Sequence, residues 1–203
     1  GIPCLNGLRE SLEAVKAAAA IGQGIQNDQP LWKSSPSETS VTLSEAEAKA
    51  ALSHSGLTVP AARVVSLDNI DNQGDFPFPA VLKAQGLAHK SDAGGVALNL
   101  TSLDAVKSAA KNMGRDSFLM EQMITGSVCE ILIGVVADPA HGFVLTLAAG
   151  GVMTEILKDS TTLVLPVTPQ DVTKAFQRLK IAPILNGYRG QPAADMAALV
   201  DAV

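Results

Sequence analysis

"PAVLKAQGLAHKSDAGGVALNL", Pro79 to Leu100, places a lysine, a histidine and a glycine pair between two apolar runs. The first run, within "FPAVLKAQG", is nearly all apolar, which predicts a strand at the centre of a sheet. The last run, "GGVALNL", predicts a second strand. Lys83 interrupts the first run. A lysine in such a strand either snorkels to water at the strand end or reaches into a cleft as a compact positive charge. Gly94 and Gly95 favour the cleft, because glycine lets backbone N–H groups come close to an anion. The segment lacks the Gly-Lys-Ser/Thr ending of a P-loop, and no G-x-G-x-x-G opens a helix. Strand, glycine loop and strand together suit a lid over nucleotide phosphates.

The composition bounds the function. The chain has 203 residues, 47% of them hydrophobic and 17% charged, which is a globular mixture. Aromatic residues are only 3%, so the core must rest on Ala, Val, Leu and Ile. A net charge of -5 gives no basic footprint for nucleic acid. No apolar run reaches the roughly 18 residues that a membrane span needs. Cys4 and Cys129 have no metal-ligand spacing and are read as two buried reduced thiols of a cytoplasmic protein, in preference to a disulfide. The chain opens on Gly1 without a signal peptide, and is read as part of a longer polypeptide.

The order of elements predicts α+β in two lobes that meet near residues 115 to 121. Residues 4–22 form an alanine-rich helix with Leu8, Leu12 and Val15 at helical spacing. This helix is assigned, as residues 1–22, to the tail of an upstream domain, and the polar stretch 23–42 is a linker. Lobe 1, residues 43–120, opens with a helix capped by Ser44, with Glu47 three residues on and Gly56 at its end. "LTVPAARVV", "FPAVLKAQG" and "GGVALNL" are its strands, and "TSLDAVKSAAKNMG" is a second helix. "SFLMEQMI" falls at the junction. Lobe 2, residues 121–203, holds "VCEILIGVVAD", "HGFVLTLAAGG" and "TTLVLPV", strands so closely spaced that they should run antiparallel. "TPQDVTKAFQRLK" starts a helix with Thr168 as cap and Pro169 at its first position, and "PAADMAALVDAV" is a last helix.

Further candidates come from carboxylates in apolar surroundings. Glu121 and Glu130 sit inside strand sequence on either side of "QMITGSVC". They are solvated on an open sheet face, or they form a cleft wall facing a ribose or adenine edge. "AAGGVMTEILKD" adds a second glycine pair with Glu155 and Asp159, read either as a turn before a solvated element or as a second loop on the same cleft. His54 and His141 belong to no motif.

Taken in order, "PAVLKA", "HKSDAGGVALNL", "MEQMITG", "LIGVVADPAHGFVLTLAAGGVMTEILKDST" and "GYRGQP" resemble the ATP-grasp domain of the ADP-forming acyl-CoA synthetases. The resemblance covers about residues 43 to 203, and the first 22 resemble the end of the CoA-ligase domain that precedes it in single-chain members. It implies an ATP-grasp fold with the nucleotide cleft between the lobes. The implied activity is that of an ADP-forming acid–CoA ligase. It interconverts acyl-CoA, ADP and phosphate with the acid, CoA and ATP through an acyl phosphate and phosphohistidines. Two rival readings are an impaired synthetase-like module that senses a ligand for a protein acetyltransferase, and another ATP-grasp carboxylate ligase. The intact "HKSDAGGV" favours the synthetase.

Carried onto this chain, the resemblance makes His89 the phosphate-carrying nucleophile, a role a neutral imidazole can fill near pH 7. Glu155 lies on the phosphoryl-transfer side. Lys83, Lys90, Ser91, Gly94 and Gly95 hold nucleotide or phosphate. Glu121 and Met123 lie at the hinge beside the adenine, and Glu130 lies near the ribose or triphosphate. The implied cofactors are ATP or ADP and Mg2+. The main magnesium ligands belong to an acidic-x-Asn-Pro motif that this sequence does not contain. The implied partner is the CoA-ligase domain of the same polypeptide, and a homo-oligomer is compatible with the pattern. On this reading the chain by itself would not turn over.

Overall fold

A computed structural model describes residues 7–22, 30–33, 40–86, 94–151 and 154–203. Fifteen residues, Leu8–Gly22, form α1, and none of them is buried. Leu8, Leu12 and Val15, the apolar positions of its sequence pattern, are all exposed.

Helix α2, Glu45–His54, begins as its sequence dictates. The Ser44 hydroxyl accepts from the Glu47 N–H, and the Glu47 carboxylate accepts from the Ser44 N–H. The strands β1 (Ala62–Val65), β2 (Ala80–Ala84), β3 (Val96–Leu100) and β4 (Phe118–Gln122) assemble in the order β1-β4-β2-β3, all antiparallel. As its apolar sequence predicts, β2 is interior, and four of its five residues are buried. Strand β1 is shorter than "LTVPAARVV", because Pro60 has no N–H for a ladder. The Ala61 carbonyl still accepts from the Gln122 N–H. One residue of β3 is extra against β2: Ala80 faces Leu100, but Leu82 faces Ala97. Asn99, at φ 56°, takes the left-handed conformation of this bulge.

Helix α3, Leu103–Met113, is capped by the Ser102 hydroxyl and closed by Gly114 at φ 60°. It lays Val106 and Ala110 on one face of the sheet, against Ala80, Leu82, Ala84, Phe118 and Met120. A single 3-10 turn, Ile70–Asn72, which the sequence pattern did not suggest, adds Ile70 to that core. The opposite face, reached by the alternate residues Val81, Lys83, Leu119 and Glu121, meets α2.

The second sheet is β5 (Ile131–Asp138), β6 (Gly142–Ala149) and β7 (Ser160–Val164), antiparallel in chain order as the close spacing predicts. A one-turn helix α4, Thr154–Leu157, lies between β6 and β7. Helix α5, Pro169–Arg178, has the full capping box of Thr168 and Asp171. Its buried side chains Val172, Ala175 and Phe176 meet Leu145, Leu147 and Ala149 of β6, with Leu179, Ile181 and Leu185 closing the core. The short α6, Ala182–Leu185, supplies Leu185. The last helix, α7, is only Met196–Asp201, half of the expected run, because Asp195 caps it by accepting from the Ala198 N–H.

Each sheet thus has its own core, and the chain crosses between them over residues 123–130. The segment 30–33 precedes the first sheet in sequence but rests on the second. The Trp32 N–H donates to the Leu165 carbonyl at 3.1 Å, and the Phe143 N–H donates to the Trp32 carbonyl at 2.9 Å. A Cβ at position 142 would lie 2.3 Å from that carbonyl, so only Gly142, at φ 80°, allows the approach.

Candidate functional site

On the α2 face of the first sheet four charged side chains converge. Lys83 faces Leu119 across the β2–β4 ladder, which makes Glu121 its diagonal neighbour on the same face. The Lys83 ammonium donates to Glu45 Oε1 at 2.5 Å and lies 3.5 Å from Glu121 Oε2. Lys49 donates to Glu45 at 2.9 Å and also to Glu121. Glu45 and Lys49 are one helical turn apart on α2, so the helix offers an acid and a base to the two strand residues. Glu121 is the most deeply placed, with its residue only 8% exposed. Burial pulls the Lys49 ammonium down, but its hydrogen bonds and charge pairing with Glu121 and Glu45 outweigh that and hold it above its ordinary value.

Lys83 and Glu121, singled out in the sequence, therefore belong to one charge cluster. Glu45 and Lys49 belong to it as well, and the sequence reading missed them. The signal available was their four-residue spacing on α2, which is common on solvated helices and carries no sign of a strand partner. Lys83 is not a snorkelling lysine. Its side chain is 22% exposed and its charge is shared between two carboxylates.

Around this cluster the other candidates scatter. Met123 follows β4 directly, and its N–H donates to the Pro79 carbonyl at 2.8 Å. That leaves its carbonyl as the backbone group it can offer. Gly95 closes the β2–β3 pairing by accepting from the Ala84 N–H at 2.8 Å, and Gly94 stands exposed before it at φ 66°. His89, Lys90 and Ser91 lie outside the described residues.

On the second sheet the glycine pair has a steric cause. The Gly150 N–H donates to the Glu130 carbonyl at 2.8 Å. A Cβ on Gly151, at φ 64°, would fall 2.1 Å from Glu130 Oε2. Glu130, Cys129, the two glycines, Leu157 and Ile181 line a cavity of about 360 Å³ whose walls are mainly apolar. Cys129 is a free thiol, half-buried rather than buried as the sequence suggested, and desolvation pushes its pKa up. Cys4 lies outside the described residues. Glu155 is exposed on α4.

Asp159 is neither on a solvated element nor free to line a cleft. It is buried, and its carboxylate accepts from the Lys180 N–H at 2.7 Å and the Ile181 N–H at 3.0 Å. It ties β7 to the turn after α5 and is a structural group.

Among the described residues no group of three or more His, Cys, Asp or Glu is placed to hold a metal ion. No helix among them is long and apolar enough to cross a membrane.

Comparison with known proteins agrees with this architecture. Residues 35–203 match the model of an ATP-grasp domain. The chain is 31% identical over 175 residues to the beta subunit of the ADP-forming acetate–CoA ligase I of Pyrococcus furiosus, covering 79% of this chain and 75% of the subunit. It is 40% identical over 140 residues to a trans-feruloyl-CoA synthase of an unknown prokaryotic organism, covering 62% of this chain but only 20% of the synthase. A structure of the dinucleotide-forming acetyl-coenzyme A synthetase 1 of Candidatus Korarchaeum cryptofilum, in complex with coenzyme A and Mg-AMPPCP, superposes with a TM-score of 0.67 at 32% identity. The match covers 78% of this chain and 73% of that one. In that structure the phosphohistidine segment points towards the nucleotide-binding site. With its two α+β sheet lobes and these relatives, the chain belongs to the ATP-grasp family, among the ADP-forming acyl-CoA synthetases.

Proposed function

We propose that this chain is the nucleotide-binding part of an ADP-forming acyl-CoA synthetase, with ATP or ADP bound between the two sheets. The observation that carries the reading is the cluster of Lys83, Lys49, Glu45 and Glu121 between the first sheet and α2. Two ammonium groups are held there, partly desolvated and balanced by two carboxylates. A nucleotide phosphate could take the place of Glu45 as a partner of Lys83, while Glu45 keeps its bond to Lys49. Glu121 and the Met123 carbonyl would flank the adenine. Glu130 would approach the ribose or triphosphate from the second sheet. Gly94 and Gly95 would let backbone N–H groups come close to the phosphates.

His89, with Lys90 and Ser91 beside it, is the proposed carrier of phosphate between this site and a CoA-ligase domain of the same polypeptide. Glu155 would stand on the transfer side. Mg2+ would take ligands from the nucleotide phosphates and from water, since magnesium sites are commonly completed by substrate oxygens and water. The whole reaction, acyl-CoA with ADP and phosphate to acid, CoA and ATP, belongs to the complete synthetase, in a cytoplasmic setting.

The test compares ADP and ATP titrations of the wild type with Lys83→Met, each beside a melting curve. Lys83→Met should lose about 1–3 kcal/mol of binding, the scale of a charge-assisted contact, while remaining folded. In the full-length enzyme, His89→Ala should keep that affinity and lose acid-labile label from radioactive ATP. Unchanged affinity in Lys83→Met would remove the charge cluster from the site.

A further inference from the structure

Among the described residues, Gln85 Nε2 is the buried side-chain polar atom with no hydrogen-bond partner. Buried polar groups are almost always paired, and an unpaired one asks for a reason. Its position supplies one. The Gln85 N–H donates to the Ser117 carbonyl at 3.0 Å, which continues the β2–β4 register by one residue beyond Ala84–Phe118. Strand alternation then sets Gln85 on the face of Lys83, two residues and about 7 Å further along. That face carries the charge cluster. The residue stands immediately before Gly86, at the foot of the strand that leads into the histidine segment.

The charge balance of the cluster strengthens the case. Its two lysines are matched by two carboxylates, so the ammonium groups are already engaged. An incoming phosphate must compete with those carboxylates for Lys83, so a donor that is not yet committed adds to its binding. Gln85 offers one that is neutral, already desolvated and without a competing acceptor. A desolvated donor is costly in the empty site and is repaid when an anionic oxygen accepts from it.

We propose that Gln85 is a phosphate-binding residue, its Nε2 donating to a phosphate oxygen of the nucleotide beside Lys83. The inference rests on the nucleotide-binding reading above and adds a residue that the motif resemblance did not mark.

Gln85→Met keeps the length of the side chain and removes the donor. The 203-residue chain is titrated with adenosine, ADP and ATP, and its melting temperature is measured without ligand. Gln85→Met should melt no lower than the wild type, because no hydrogen bond is lost in the empty site. It should bind ADP and ATP about tenfold more weakly, on the scale of a hydrogen bond to a charged group, and bind adenosine unchanged. Equal ADP affinity in the two proteins would overturn the proposal. So would an equal loss for adenosine, which reports general damage. Failure of Gln85→Met to fold would overturn it too, since an unpartnered donor does not hold a fold together. If the wild type itself binds neither ADP nor ATP, the nucleotide reading fails first and takes this inference with it.

Discussion

The two sheets build their candidate sites by different means. The first does it with long charged side chains. Lys83 and Glu121 rise from neighbouring strands and are met by Glu45 and Lys49 from α2. The second does it with backbone shape. Gly150 and Gly151 are small because Glu130 lies against them, and the cavity beside them is walled by Cys129, Leu157 and Ile181. The first arrangement pairs each ammonium group with two carboxylates. The second cannot tolerate an added methyl without moving a carboxylate.

The comparison is broken most severely if the two lobes share one folding unit. Phe118 and Phe176 are both fully buried, one in each core. Phe118→Ala and Phe176→Ala should each cost about 3–5 kcal/mol, the range for truncating a buried phenylalanine. Amide exchange read alongside urea unfolding should show each loss confined to its own sheet. Equal loss of protection in both sheets from either variant would show that the cores unfold together.

A smaller effect sharpens the steric side. Gly151→Ala places a Cβ at φ 64° and against Glu130 Oε2. The left-handed backbone alone should cost about 1–2 kcal/mol. Adding Glu130→Ala should relieve the overlap and leave the backbone cost. Urea titration of the single and double variants separates the two parts. A double variant as stable as the wild type would mean that the conformation at 151 carries no strain.

How far these features could be read beforehand depends on the range of the interactions that make them. Local signals were legible. Ser44 with Glu47 three residues on, Thr168 before Pro169, and Gly114 at the end of α3 are all local signals. Strand β2 was legible as central because an interior strand has no solvated face to mark with polar residues. Contacts across the chain were not. Glu45 meets Lys83 over 38 residues, and Asp159 meets Lys180 and Ile181 over 21 and 22. No periodicity encodes such a pairing, so the sequence leaves Asp159 open between a solvated residue and a cleft carboxylate, and its two backbone donors make it neither. The resting of Trp32 on the second sheet was hidden for the same reason, since its partners Phe143 and Leu165 lie more than a hundred residues away.

The finest test of the electrostatic side is a pH titration of stability. Lys49 in the folded chain sits above its ordinary value of 10.5, because its bonds to Glu121 and Glu45 outweigh its desolvation. A raised folded value means that the folded state holds the proton more tightly than the unfolded one. The stabilisation is therefore complete below about pH 10.5 and is lost as the pH climbs through the folded value. Lys49 is only partly buried, so solvent weakens the coupling, and the change in melting temperature should stay below about 4 °C. Other lysines titrate in the same window, and the informative quantity is a difference. Between pH 9 and pH 12, two mildly to strongly basic conditions chosen to bracket about 10.5, the wild type should lose more than Lys49→Met. In Glu121→Gln the remaining partner Glu45 should leave an intermediate slope. Parallel curves for wild type and Lys49→Met would show that the ammonium on α2 is solvated like any surface lysine. The cluster would then shrink to Lys83 and its two carboxylates.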